Sequence, residues 1–441
     1  MLDAETSTAP TMPRAPRTLE DTGLSPDLVL QIVLKTLHLA GTLKGTDLAE
    51  RLGVNFQVIQ SSLDDLKWQQ HCEIVGAGET GAPSFRYRIT DAGRVRAALF
   101  LDQNHYVGKL PVPLAQYQAY MEDFRAGLQR HITPDRVREA FSHLVLSDRV
   151  LDQLGPAICS GDSLFVYGPP GNGKTVIAQA IGNLLEGDVA IPHALEVEGG
   201  IIRMFDPVSH KSVVQEPAAD EPSLDRAEKA DRRWMLCKRP IVTVGGELTL
   251  QALDLSFSAT TGFYHAPVQM LANGGLLVID DFGRQQCAPR DLLNRWIVPL
   301  ESRVDFLTLQ TGLKFEFPFV VLVVFATNIK PVELVDEAFL RRIHYKVFAE
   351  SPTTRDFVQI FQNYCDLVGV PFDPPVADSL LQNVLHPRKI QLRGCQPRDL
   401  INQALALAEY SGQPRRLTPA LLEAACDSYF VDDREMPIAR V

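Results

Sequence analysis

Over the first hundred residues the apolar positions repeat first with a helical period and then with a strand period. In DLVLQIVLKTLHLAG the apolar side chains fall three and four apart and Gly41 closes the run, as in an amphipathic helix with a glycine stop. TDLAERLG predicts a short helix with Thr46 as N-cap and Gly53 as its end, and NFQVIQSSLDDLKWQQ places Phe56, Ile59, Leu63 and Leu66 at helical spacing. CEIVGAGETGAPSFRYRIT then reads as two short strands around a glycine-rich loop. Further on, SLFVY, LLVI and VVLVVFAT are apolar runs of buried-strand character, and ESRVDFLTLQTGLKFEFPF alternates as a hairpin joined at Thr311-Gly312.

At 441 residues the chain suits two or three domains. Hydrophobic residues at 45% and charged residues at 22% are ordinary for globular proteins, and no apolar run nears the roughly 20 residues of a membrane span, so a soluble chain is expected. The opening MLDAETSTAPTMPRAPRTLEDTG lacks an apolar h-region and predicts a disordered tail over 1–24 rather than a secretory signal. Residues 102–133, with KLPVPLAQY, read as a Pro-containing linker. Residues 186–244, where GGIIRMF precedes the charge-dense VVQEPAADEPSLDRAEKADRR, read as a solvent-exposed insertion. Seven scattered cysteines without a Cys-x-x-Cys pair indicate neither zinc nor a disulfide framework and fit a reducing cytoplasm. The net charge of −11 gives no global attraction to nucleic acid or anionic lipid.

The strongest chemical signal is SLFVYGPPGNGKTVIAQAIGNLL. A strand over Ser163–Tyr167 runs into Gly168, Pro169, Pro170, Gly171, Asn172, Gly173, Lys174 and Thr175, which fit Gly-x4-Gly-Lys-Ser/Thr, and Val176 opens a helix. Glycines let backbone N–H groups turn toward phosphates at a helix N-terminus, the lysine reaches the β- and γ-phosphates, and the threonine hydroxyl ligates Mg²⁺. ATP and Mg²⁺ are the cofactors this pattern calls for. LLVIDD supplies the complement, an apolar strand that delivers Asp280 to the metal and leaves Asp281 beside it.

The order over 25–101 resembles a winged helix-turn-helix domain. Its presumed recognition helix, Asn55–Gln70, offers Asp64 and Asp65 against a single Lys67, poor chemistry for phosphate; Arg86, Arg88, Arg94 and Arg96 are the basic candidates. Protein contact is expected ahead of DNA contact.

From about residue 134 to 430 the chain resembles the AAA+ ATPases. Beyond the two motifs above, Asn328 at the end of VVLVVFATN is similar to the sensor 1 position, DEAFLRRIHYKVF resembles the arginine-finger site with Arg342, or else Arg341, and GCQPRDLINQALALA looks like sensor 2 with Arg398 directed at the γ-phosphate. The resemblance implies an α/β fold: a small α+β winged-helix domain, an AAA+ P-loop parallel sheet core over 134–350 and a helical lid over 351–441. It also implies a self-assembled ring, commonly a hexamer, in which one subunit's arginine completes the next subunit's site.

TTGFYHAPVQMLANGGLLVIDD and the hairpin that follows resemble the MoxR-type and magnesium-chelatase branch, whose corresponding insertions face the pore or upper surface of the ring. The departure is Asp281, where most of the family carries Glu as the base; Asp sets the carboxylate about 1.5 Å further back. Asp-Asp also occurs in the helicase-loader group, so hydrolysis is expected, with Asp281, Asn328, Arg342 and Arg398 as the catalytic set. The leading functional expectation is a chaperone-like ring ATPase that remodels a protein client. The alternatives are a DNA-binding ATPase or regulator and a slowly hydrolysing nucleotide switch.

Overall fold

The computed structural model describes residues 12–76, 81–128, 132–213, 230–334 and 337–430. The chain forms two compact units, Met1–His131 with Leu185–Val278 and Arg284–Val323, and Ile132–Leu184 with Ile279–Gly283 and Val324–Val441.

The first unit opens with the expected helices. Pro26–Ala40 is capped by Ser25, whose side chain accepts from Leu28 N–H, and ends at Gly41. Gly45–Leu52 ends at Gly53 in the left-handed region, and Phe56–Trp68 buries Ile59, Leu63 and Leu66. The second of these helices starts one residue before the expected cap at Thr46: Gly45 donates its N–H to Phe85 O, and Lys44 takes the capping position. Strands Thr42–Lys44, Arg86–Ile89 and Cys72–Gly76 form a three-stranded antiparallel sheet with Arg86–Ile89 in the middle. Residues 77–80 of the expected glycine-rich loop lie outside the described residues.

Three expectations for this unit are corrected. The tail expected over 1–24 is packed from Met12 onward, residues 1–11 lying outside the described ones. Its partner is the buried Arg233–Asp231 pair, 2% and 1% exposed, at 2.8 Å. A buried guanidinium needs acceptors for all its donors, and Arg233 finds them in Asp231, Thr22 O, Pro111 O and Gln116 Oε1. The expected linker over 102–133 contains the helix Leu114–Gly127, which buries Tyr117, Tyr120, Met121 and Phe124. Tyr117 stacks between Trp234 at 6.0 Å and Phe317 at 5.2 Å. The expected insertion over 186–244 is core rather than excursion: Asp188–Pro192 pairs antiparallel with Trp234–Lys238, and Val189, Ala190 and Ile191 are fully buried. Residues 214–229, most of its charge-dense stretch, lie outside the described residues.

The second unit holds the strands Leu164–Tyr167 and Tyr345–Phe348 with the ends of Leu276–Ile279 and Leu322–Thr327, all strands of one five-stranded sheet. Leu164–Tyr167 pairs in parallel on both sides, Leu164 lying opposite Val324 and Tyr345. A sheet with buried faces needs continuous apolar strands, and Leu276–Ile279 and Leu322–Thr327 are buried at every position. The C-terminal part is helical. Thr354–Val368, Gln396–Tyr410 and Pro419–Tyr429 bury Phe357, Phe361, Leu400, Ile401 and Leu422 in a core of their own. The architecture is therefore the expected α/β parallel core with a helical C-terminal part. Among the described residues no helix is long and apolar enough to cross a membrane.

Candidate functional site

The buried strand Leu164–Tyr167 runs into the loop 168–173 and then into the helix Lys174–Asn183. Gly173 caps this helix at φ 72, and a Cβ there would meet nothing within 4 Å, so glycine is required for its backbone angle and not for space. The helix begins with N–H groups that have no partner within it, the arrangement that attracts anions.

Lys174 is 7% exposed. Its Nζ donates to Gly168 O at 3.1 Å, to Pro169 O at 2.9 Å and to Asn328 Oδ1. Burial lowers its pKa; the carboxylates of Asp281 and Asp280 oppose that shift and Arg393 adds to it. Thr175 Oγ1 donates to Asp280 Oδ2 at 2.7 Å. Asn328 follows its buried strand and donates from Nδ2 to Asp281 Oδ1 at 3.0 Å. One amide thus links the loop lysine to the second aspartate.

The turn carrying the aspartates is fixed to the neighbouring strand, with Phe282 N–H donating to Ala326 O and Thr327 Oγ1 to Phe282 O, both at 2.7 Å. Asp281 adopts φ 48 and its N–H donates to Asp280 Oδ1 at 2.9 Å. The chain leaves the strand at once, and the two carboxylates are set by a turn rather than by strand alternation.

Val176 sits in the first helical turn, 42% exposed. Arg342 lies in the turn after Glu337–Leu340, half-buried, and its neighbour Arg341 pairs with Glu337 at 2.8 Å. Arg398 departs from expectation: it stands in the first turn of Gln396–Tyr410, 60% exposed, with Nε on Asp399 Oδ1 at 2.9 Å. Its own neighbour's carboxylate takes the guanidinium. The arginine set against the loop is Arg393, whose Nη1 donates to Pro170 O at 2.7 Å. Sequence reading passed it over because the helical period begins only at Gln396.

The Thr175 hydroxyl and Asp280 carboxylate are hard oxygen donors within reach of one ion. Among the described residues no group of three or more His, Cys, Asp or Glu could hold a metal. The pair suits Mg²⁺, which takes one or two protein oxygens and completes its shell from phosphate and water. The loop with its helix suits the phosphates themselves.

On the N-terminal surface, three of the four basic candidates are engaged. Arg88 pairs with Glu73 at 2.6 Å, Arg94 with Asp91 at 3.7 Å, and Arg96 lies 4.6 Å over the Phe100 ring. On the presumed recognition helix Lys67 pairs with Asp64 at 2.6 Å, while Trp68 is 86% exposed.

Residues 353–428 match a family described as Domain of unknown function (DUF8689). No curated protein matches the chain. Among solved structures the chain is similar to NtrX from Brucella abortus in complex with ADP, at 15% identity and TM-score 0.39, over 76% of this chain and 65% of that one. It is also similar to the RuvB Holliday junction branch migration motor of Thermotoga maritima, at 15% identity and TM-score 0.36, over 70% and 74% of the two chains. A variant of that RuvB aligns at 14% identity and TM-score 0.40, over 70% and 75%.

Proposed function

We propose that this chain is an AAA+-type ATPase that binds ATP with Mg²⁺ and hydrolyses it. The observation that carries the reading is the convergence of Lys174, Asn328 and Asp281 through one amide beside the Thr175–Asp280 pair. Bound Mg²⁺ would supply charge neutralisation between the phosphates. The chain's own part is to place the Lys174 cation against them, hold the metal through Thr175 and Asp280, and set Asp281 to accept a proton from water that Asn328 orients.

Arg342 is our candidate finger, acting on a neighbouring copy in a homo-oligomeric ring. Residues 25–101 serve as a winged-helix adaptor for a protein client, whose remodelling is the work done. The engaged state of Arg88, Arg94 and Arg96 and the exposed Trp68 favour a protein partner over DNA.

Phosphate release by Lys174→Ala and Asp281→Asn tests the enzyme. The first should lose nucleotide binding; the second should bind ATP as wild type does while turnover falls at least about a hundredfold. Wild-type turnover in Asp281→Asn would remove Asp281 as the base, and absence of phosphate release by wild type would sink the hydrolytic reading.

A further inference from the structure

Three consecutive residues before the helix Gln396–Tyr410 bond three consecutive residues of the phosphate loop. Arg393 Nη1 donates to Pro170 O at 2.7 Å, Cys395 N–H to Gly171 O at 2.8 Å, and Gly394 N–H to Asn172 Oδ1 at 3.4 Å. The Cys395 thiol stands 2.6 Å from where a Gly171 Cβ would be, so the strap lies directly on the loop backbone. Asn172, 8% exposed, is also tied by Nδ2 to Ala349 O at 3.3 Å and Ser351 Oγ at 3.2 Å.

A loop that turns its N–H groups toward phosphates leaves its carbonyls to be satisfied elsewhere. Here four successive carbonyls receive donors from two sources. Lys174 takes those of Gly168 and Pro169, and the strap takes those of Pro170 and Gly171. Lys174 is shared with the ligand's phosphates, whereas the strap meets the loop at oxygens that face away from them.

We infer that Arg393–Gly394–Cys395 is a latch that holds the phosphate loop in its binding shape, so that the segment matched to the domain of unknown function sets nucleotide affinity. The inference rests on the nucleotide reading. A latch on the loop acts before the γ-phosphate is distinguished, and it therefore strengthens ADP and ATP alike. Arg393 is a positioning residue in this scheme.

Titration of the full-length protein with ADP and with ATP, both with Mg²⁺, tests it in Arg393→Ala, Arg393→Lys and Cys395→Pro. Cys395 has φ −78, close to proline's own, so Cys395→Pro keeps that backbone angle while its ring replaces the donor and presses on Gly171 O. Arg393→Ala and Cys395→Pro should each weaken both nucleotides by about tenfold, and Arg393→Lys should recover part of the loss. Thermal melts of the same samples report the fold. Should Arg393→Ala fail to fold, Arg393→Lys and Cys395→Pro decide. Unchanged affinities would overturn the latch, and so would a loss confined to ATP, which would make Arg393 a γ-phosphate contact. Equal ADP binding by wild type and Lys174→Ala, or none by wild type, would instead remove the nucleotide reading and the latch with it.

Discussion

Asp281 answers at the level of one backbone angle the question its side chain raises. At φ 48 it occupies the left-handed region, which Asp and Asn enter several-fold more readily than longer side chains. Asp281→Asn is therefore an isosteric probe that keeps the turn. Glu would lengthen the reach, but at a backbone angle that disfavours it and with Asn328 already placed for the shorter carboxylate at 3.0 Å. We expect Asp281→Glu to lower both the melting midpoint and the rate of phosphate release; a faster, equally stable variant would show that the turn is not fitted to Asp. Lys35 gives a second test at this scale, since it is 1% exposed with Nζ on Asn104 O at 3.0 Å. Burial pulls its pKa from 10.5 down to about 8. The unfolded chain thus holds more protons than the folded one across that interval, and this group's contribution to stability rises as pH climbs from about 8 to above 10. Lys35→Met should raise the melting midpoint at pH 7 and remove that rise relative to wild type, and parallel pH profiles for the two proteins would contradict the assignment.

Elements whose identity depends on neighbours in sequence were legible. The phosphate loop, the two apolar strands that deliver Asp280 and Asn328, and the three N-terminal helices follow from local period and turn chemistry, and they appear where expected. The hairpin Val304–Thr308 with Lys314–Pro318 was legible as a pair, but its inward face was not. Alternation sets Val304, Phe306 and Thr308 on one side and Asp305 and Leu307 on the other, and it is the side with the aspartate that is buried. Asp305 is fully buried because Arg295 Nη1 at 2.6 Å and Gln269 Nε2 at 3.0 Å satisfy it. Neither partner is signalled by the hairpin itself. Phe306, turned outward at 39% exposure, lies under the Lys314 ammonium instead. Arg393 was missed for the same reason as Arg233: each is defined by carbonyls far away in sequence, which leave no periodic trace around the arginine.

The adaptor reading of residues 25–101 carries a consequence for the whole molecule. The core that holds Val29, Ile32 and Leu63 continues into Ala194, Ile201 and Phe263, and Leu110 N–H donates to Leu52 O at 2.8 Å. Removal of residues 1–101 would also take Thr22 O from the buried Arg233. We expect that truncation to yield a destabilised first unit that aggregates, in contrast with substitutions at the exposed Trp68, which should leave the melt unchanged and lose the client. A well-folded truncated protein with a wild-type melt would show that the N-terminal helices are dispensable to this core.

The bond from Arg393 to Pro170 spans 223 residues, and that distance has a meaning in time. At translation rates of about 5 to 20 residues per second, the strap leaves the ribosome roughly 11 to 45 s after the loop it fastens. For that interval a nascent chain owns a phosphate loop whose outer carbonyls lack their donors. On the latch reading, tight nucleotide capture waits until the C-terminal helices have been made.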